Sequence, residues 1–254
     1  MTAADLLTAR AAQWAMLRPA QLDEHSLHGW IEALGLATLP ELGPDLGDAA
    51  LAPLDQAVAS AQVIELWQWP GILRYCARER LEAVYTCIGD RHPADDFRRQ
   101  ADERQLSWLA AEVFSLLLAH DGPRTAAEIR GVIGAERTSV LAVERALHEL
   151  ARSLKVLRVG RAENGGPQWR PLLQVAPEVV KPNPRPQLGA VAELVVHYLK
   201  SRVLETEEML VEMLAPLAGR TRVHDAIIGL NTVHQIELDN LDGRPAFRIN
   251  GKQQ

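Results

Sequence analysis

Between Arg137 and Arg161 stand six bases, Arg137, Arg145, Arg152, Lys155, Arg158 and Arg161, against two acids, Glu144 and Glu149. Guanidinium and ammonium groups concentrated in this way suit contacts to phosphate, and Ser139 adds a short polar group beside them. The rest of the chain makes the cluster informative. The formal net charge is −6, divided as −7 over residues 1–105, +2 over 106–177 and −3 over 188–250. A generally basic coat for a nucleic acid is excluded, whereas one local positive face is not.

The elements around the cluster can be read from period and punctuation. A helix is predicted from Leu106 to His120, stopped by Asp121-Gly122-Pro123. Thr125-Ala126-Ala127-Glu128 has capping-box spacing and opens a second helix, which Gly134 ends. Thr138 or Ser139 caps a third, with Val140, Val143, Leu147, Leu150 and Leu154 facing inward. The period then changes to two in Lys155-Val156-Leu157-Arg158-Val159, a turn follows at Asn164-Gly165-Gly166, and Trp169 to Val175 returns as the partner strand. Three helices followed by a hairpin is the order of a winged helix-turn-helix unit. Such a unit lays its third helix in the major groove of DNA and touches the backbone with its wing. Opposite the apolar stripe, the third helix offers Ser139, the small Ala142, Arg145, Glu149 and Arg152, and the wing offers Arg158 and Arg161. Glu149 fits poorly near phosphate unless it accepts from a cytosine amine or pairs with Arg145 or Arg152. A solvated, salt-bridged face is the competing reading.

The pattern recurs from Leu188 to Asn250. Leu109, Val113, Leu116 and Leu117 correspond to Val191, Val195, Tyr198 and Leu199 at an offset of 82. Ile129, Val132 and Ile133 correspond to Leu210, Met213 and Leu214 at 81, and Val140, Val143 and Leu147 to Val223, Ala226 and Leu230 at 83. An offset held that closely across three helices predicts a second winged helix over 188–254, joined to the first (106–177) by a stiff linker, 178–187, within the proline-rich stretch Pro177, Pro182, Pro184, Pro186. Its third helix begins with Arg220, Arg222 and His224 and its wing bears Asp239 and Asp242 beside the turn Asn240-Leu241-Asp242-Gly243. That is a weak surface for DNA and a better one for a protein partner or a second copy of the chain. His224 and His234 read as ordinary polar histidines.

Residues 1–105 form an acidic helical region. Asp23 caps a helix to Leu34 with Gly35 beyond it, and Pro53 is placed in the first turn of another reaching about Gln62. Val63 to Trp69 and Ile72 to Cys76, around Pro70-Gly71, form either a third hairpin in a degenerate winged helix or part of a helix running from Ile72 to Ile88; periodicity leaves both open. Pro93 to Gln105 is a charged connector. Trp14, Trp30, Trp67 and Trp69 could line a cleft for an unstacked base, with core packing the simpler use. Cys76 and Cys87 have no spacing that implies zinc or a disulfide framework, and Asp95-Asp96 and Glu207-Glu208 are adjacent pairs that point to different helix faces. No cofactor, metal or catalytic residue is expected. No apolar run reaches membrane-span length and Met1 to Arg10 lacks the form of a leader, which predicts a cytoplasmic protein.

Three N-terminal stretches, Leu7-Thr8-Ala9-Arg10-Ala11-Ala12, Leu34-Gly35-Leu36-Ala37-Thr38-Leu39-Pro40 and Val63 to Arg74, resemble the winged-helix DNA glycosylases that excise alkylated bases and unhook interstrand cross-links. The resemblance covers about the first 160 residues loosely. It implies tandem winged helices and an ancestry in DNA repair. That family carries a Gln-apolar-Gln or Gln-apolar-Asp motif after a Leu-Gly pair, where this chain has Thr38-Leu39-Pro40. It also carries a hairpin motif like Arg-Gly-Thr-x-His, where this chain has Pro70-Gly71-Ile72-Leu73-Arg74. Both departures leave no catalytic residue to carry over. The expectation is a mainly α protein with small β-hairpins that binds double-stranded DNA without catalysis, in bacterial-type transcription regulation or DNA maintenance. A glycosylase-like repair enzyme is one alternative. The other is an acidic interaction module, similar to the tandem winged-helix partners of chromosome-condensing ATPases.

Overall fold

The computed structural model describes residues 1–18, 23–39, 41, 47–88, 97–180 and 186–251. It is mainly helical with three small antiparallel sheets. Helix α1 (Ala3–Leu17) opens with a capping box in which the Thr2 side chain accepts from the Asp5 amide. A first unit follows: α2 (Glu24–Leu34), β1 (Ala37–Thr38), α3 (Gly47–Ala59), β2 (Val63–Trp69) and β3 (Ile72–Ala77), trailed by α4 (Leu81–Ile88). After α5 (Phe97–Asp102), a second unit runs α6 (Trp108–Leu118), β4 (Arg124–Thr125), α7 (Ala126–Ile133), α8 (Val140–Arg152), β5 (Val156–Arg161) and β6 (Pro167–Pro171), then the short α9 (Leu172–Val175). The third unit runs α10 (Gln187–Lys200), β7 (Glu205–Thr206), α11 (Glu207–Ala218), α12 (Arg220–Thr232), β8 (Ile236–Leu241) and β9 (Arg244–Ile249).

Each sheet has the same order, with the short first strand and the first hairpin strand flanking the last: β1-β3-β2, β4-β6-β5 and β7-β9-β8. The helix before each hairpin also ends in the same way. The amides of Gln62, Lys155 and Gln235 donate to the carbonyls of Ala57, Leu150 and Leu230 at 3.0, 2.9 and 3.0 Å. The residue before each of them, Ala61, Leu154 or His234, has φ of 56°. This left-handed closure satisfies the terminal carbonyls of the helix and turns the chain into the hairpin. The common sheet order and the common closure before each hairpin give three units of like topology, although the same closure also ends α5, where the Gln105 amide donates to the Gln100 carbonyl at 2.8 Å after Arg104 at φ 57°.

Residues 63–77 therefore form a hairpin, and the helix from Ile72 to Ile88 starts only at Leu81. Pro53 lies inside α3 instead of in its first turn, since the helix begins six residues earlier, at Gly47. Pro177–Val179 forms a 3-10 turn with Val179 buried, so the start of the expected linker is packed and not extended. Pro40, Pro93, Asp95-Asp96, Pro182 and Pro184 lie outside the described residues. Capping at Asp23, Thr125 and Ser139, with Gly35 and Gly134 as stops, follows the sequence reading.

The units share cores. One apolar cluster runs from the first hairpin (Ile64, Leu66, Trp69) through α4 into α10, α11 and α12, and a second fills the middle unit around Phe114, Leu147 and Trp169. The first hairpin serves both because its register slips between Leu66 and Trp69. Trp67 stacks on His148 of α8 at 4.4 Å, while Trp69 donates its indole N–H to the Met213 carbonyl at 3.0 Å. Helix α1 closes the molecule against the third unit, with Arg10 donating to the carbonyls of Arg202 and Leu204 and to Glu205, and Trp14 to Ser201.

Candidate nucleic-acid interface

Helix α8 carries the positive face. Ser139 caps it, accepting from the Ala142 amide at 3.1 Å, so the positive end of the helix stands at the surface beside Arg137. Val143, Ala146, Leu147 and Leu150 are buried, which turns Leu141, Arg145 and Arg152 outward, with Ala142 half-buried between them. Among the described residues neither the Arg145 nor the Arg152 guanidinium has an ion-pair or hydrogen-bond partner. Arg137 is exposed and only loosely held, 3.3 Å from Glu112 and from the Ile133 carbonyl.

The rest of the expected set sits elsewhere. Lys155 is buried with its ammonium 5.2 Å above the Phe114 ring, where apolar packing draws in its stem and the aromatic face takes the charge. Arg158 is buried as well, and its Nη2 donates to Asp55 at 2.7 Å and lies 2.8 Å from Glu65. Arg161 is half exposed, with its Nε 2.9 Å from the second oxygen of Asp55. Neither Lys155 nor Arg158 presents a cation to solvent, and both leave the contact set. Arg158 instead locks the middle wing to α3 and β2 of the first unit. Burial pushes the Glu65 carboxyl up despite its arginine partner. At Asp55 burial acts the same way, but the bonds from Arg158 and Arg161 outweigh it and hold the carboxyl below its ordinary value.

Glu149 does not pair with an arginine of its own helix. Its two oxygens accept from the Ser107 amide at 2.6 Å and the Ser107 hydroxyl at 2.7 Å, fastening the start of α6 to α8. The misfit anticipated near phosphate is thereby removed. The far end of α8 is covered by the first hairpin, where Gln68 donates to the Ala151 and Arg152 carbonyls at 3.4 and 3.1 Å.

In the third unit Arg220 stands exposed at the start of α12, Arg222 donates to the Ala218 carbonyl at 3.0 Å, and His224 is paired with Glu207. His234 is exposed at its left-handed turn. Trp30 and Trp69 are core residues, and Trp14 and Trp67 are partly buried against their neighbours.

The two positions of the glycosylase resemblance meet. Thr38 pairs with Arg74 across the sheet, and the Thr38 amide and hydroxyl both donate to Glu41 at 2.8 Å. The bonds from Thr125 to Glu128 are the same, at 2.7 and 2.9 Å, but where the Glu128 amide returns a bond to the Thr125 hydroxyl, the Glu41 amide donates to the Thr38 carbonyl at 3.1 Å. Glu41 also accepts from Arg202 at 2.6 Å and lies 3.8 Å from Arg74. Burial raises its carboxyl, but Arg202 and the Thr38 bonds prevail and keep it ionised below the usual range. The Arg202 guanidinium lies over the rings of Trp14 and Tyr198, at 4.9 and 4.6 Å.

Among the described residues no group of three His, Cys, Asp or Glu side chains is placed to hold a metal, and no helix is long and apolar enough to cross a membrane. Cys76 and Cys87 are buried free thiols, and burial pushes the Cys76 thiol up. No family model matches the chain, and no curated protein does. Among solved structures the chain is similar to the DNA glycosylase AlkZ of Streptomyces sahachiroi, with a TM-score of 0.62 and 15% identity over 96% of this chain and 70% of that one. At that identity the likeness is one of fold.

Proposed function

We propose that the three units are winged helices and that the chain binds double-stranded DNA through α8, in transcription regulation or DNA maintenance, without catalysis. The observation that carries this reading is the face of Arg137, Ser139, Arg145 and Arg152 at a capped helix start, two of whose guanidinia are unpartnered in a chain where so many other arginines are spent on ion pairs. The likeness to a DNA glycosylase supports the same partner class. Three cations on phosphate correspond to a log–log salt slope of about −3 on duplex DNA. Arg145→Glu should lower that slope by about 1 and weaken all sequences alike. A flat salt dependence, or unchanged binding by the Arg145→Glu, Arg152→Glu double variant, would remove the proposal.

Base excision is the second reading, favoured by that fold likeness. It needs a carboxylate or amide free to hold water, and Glu41, the carboxylate that follows Thr38-Leu39-Pro40, already accepts three hydrogen bonds. Release of a base from alkylated duplex by the purified chain would replace the non-catalytic reading.

A further inference from the structure

We propose that the cleft between α5, α6 and the α7–α8 turn takes one unstacked nucleotide of a DNA strand, its base on Trp108 and its phosphate between Arg98 and Arg137. This rests on the DNA reading of α8 and adds single-stranded character to what is bound there. Trp108 is the anomaly that points to it. Its side chain is 65% exposed, whereas Trp30, Trp69 and Trp169 are at most 6% exposed. An indole left in water at the edge of a cleft is a ready platform for a base, since every base offers a π-face.

The cleft has a volume of about 470 Å³ and is lined by Phe97, Arg98, Trp108, Glu112, Ser115 and Arg137, among others. That lies within the roughly 300–1,000 Å³ usual for small-ligand sites. Two guanidinia against one carboxylate give it a positive balance in a chain of net charge −6, which complements a phosphodiester. Arg98 lies 5.7 Å over the Phe97 ring, and Glu112 and Ser115 offer acceptors for a base amine. The platform is fixed relative to α8, because Trp108 follows Ser107, which Glu149 of α8 holds by two bonds. Arg137 lies two residues before the cap of α8, so a strand whose phosphates reach that helix start can turn its next base into the cleft.

The test uses the full chain with three probes: a blunt duplex, the same duplex with a short single-stranded overhang, and a short thymidine oligonucleotide alone. The overhang should tighten binding roughly tenfold through base stacking. Trp108→Ala should abolish that gain and leave the affinity for blunt duplex unchanged, and an overhang of abasic sugars should give none. The oligonucleotide should quench tryptophan emission in the wild type and not in Trp108→Ala. Equal affinity for blunt and overhang duplex, or an overhang gain that survives Trp108→Ala, overturns the proposal. So does absence of quenching by the oligonucleotide, whatever the duplex does. Loss of blunt-duplex binding with quenching retained would sink the reading of α8 and leave the cleft standing. A melting temperature unchanged in Trp108→Ala, expected for so exposed a residue, shows that the comparison is between folded proteins.

Discussion

Replacing Arg158 by methionine separates a structural arginine from a phosphate contact. In the wild type the guanidinium is 7% exposed and reaches Asp55 and Glu65 at 2.7 and 2.8 Å; the Glu65 side chain is 3% exposed and its second oxygen already lacks a partner. The substitution leaves Asp55 with Arg161 and leaves Glu65 buried without a cation. The cheapest response of Glu65 is to take up a proton, which burial already favours. At pH 7 that costs about 1.36 kcal/mol per unit above an unfolded-state value of roughly 4.3, or about 3.7 kcal/mol. This sits within the roughly 3–5 kcal/mol found on breaking buried pairs. For a chain of this size it corresponds to a fall in Tm of about 7–15 °C. The pH dependence has a definite sign. A carboxyl protonated in the folded variant and ionised in the unfolded chain binds more protons when folded, so the penalty grows with pH above the unfolded value and shrinks towards pH 4–5. Urea unfolding of wild type and Arg158→Met at pH 5 and pH 8 measures both numbers. The Glu65→Leu, Arg158→Met pair should regain most of the loss, because it removes the stranded charge as well. A shift under about 1 kcal/mol at pH 8, a penalty independent of pH, or a double variant weaker than the single would refute the reasoning. Duplex affinity of folded Arg158→Met should equal that of the wild type.

Glu149→Ala removes the carboxylate that holds Ser107, at a cost of about 1 kcal/mol by urea unfolding, as for the loss of a helix cap; its affinity for blunt duplex should hold or rise. Burial between Trp67 and Trp169 lowers His148 below its ordinary value of 6.5, so the unfolded chain binds the proton first as pH falls. Stability should therefore drop as pH falls below about 6.5, and thermal melts of His148→Phe should show a shallower fall over the same window.

Much of the fold was legible because its units are amphipathic and capped by residues with a mechanism. Asp23, Thr125, Ser139 and the Asp242-Gly243 turn needed no tertiary information. The first hairpin resisted because β2 is covered on both faces, so Val63 to Leu66 are all buried and the period-two signal is lost. The three left-handed closures were invisible for a different reason. Ala61, Leu154 and His234 occupy a conformation that glycine or asparagine normally advertises, and tertiary context overrides that preference at all three. The bonds from Thr38 to Glu41 were readable in principle, since Glu41 stands three residues on, but Pro40 between them obscured the pairing.

The candidate site was half legible, and the failures follow from distance along the chain. Arg158 looked like a wing contact because its neighbours in sequence are apolar or basic; the carboxylates that claim it lie about 100 residues upstream on α3 and β2. Glu149 looked misplaced because its partner, Ser107, lies 42 residues away. A count of local charge therefore overstates what a repeat unit can offer to DNA once its neighbours dock on it. Docking takes Arg158 into the joint between the first and second units, and the stack of Trp67 on His148 with the bonds from Gln68 fixes α8 against the same hairpin. The cations that remain, at Arg137, Arg145 and Arg152, are those on the side of α8 that the first unit does not cover. Their presentation depends on the contacts that this hairpin makes with α8, so Trp67→Ala should weaken DNA binding through α8 orientation although Trp67 reaches no phosphate, whereas Arg158→Met, at a residue that holds the wing and not α8, should leave it unchanged.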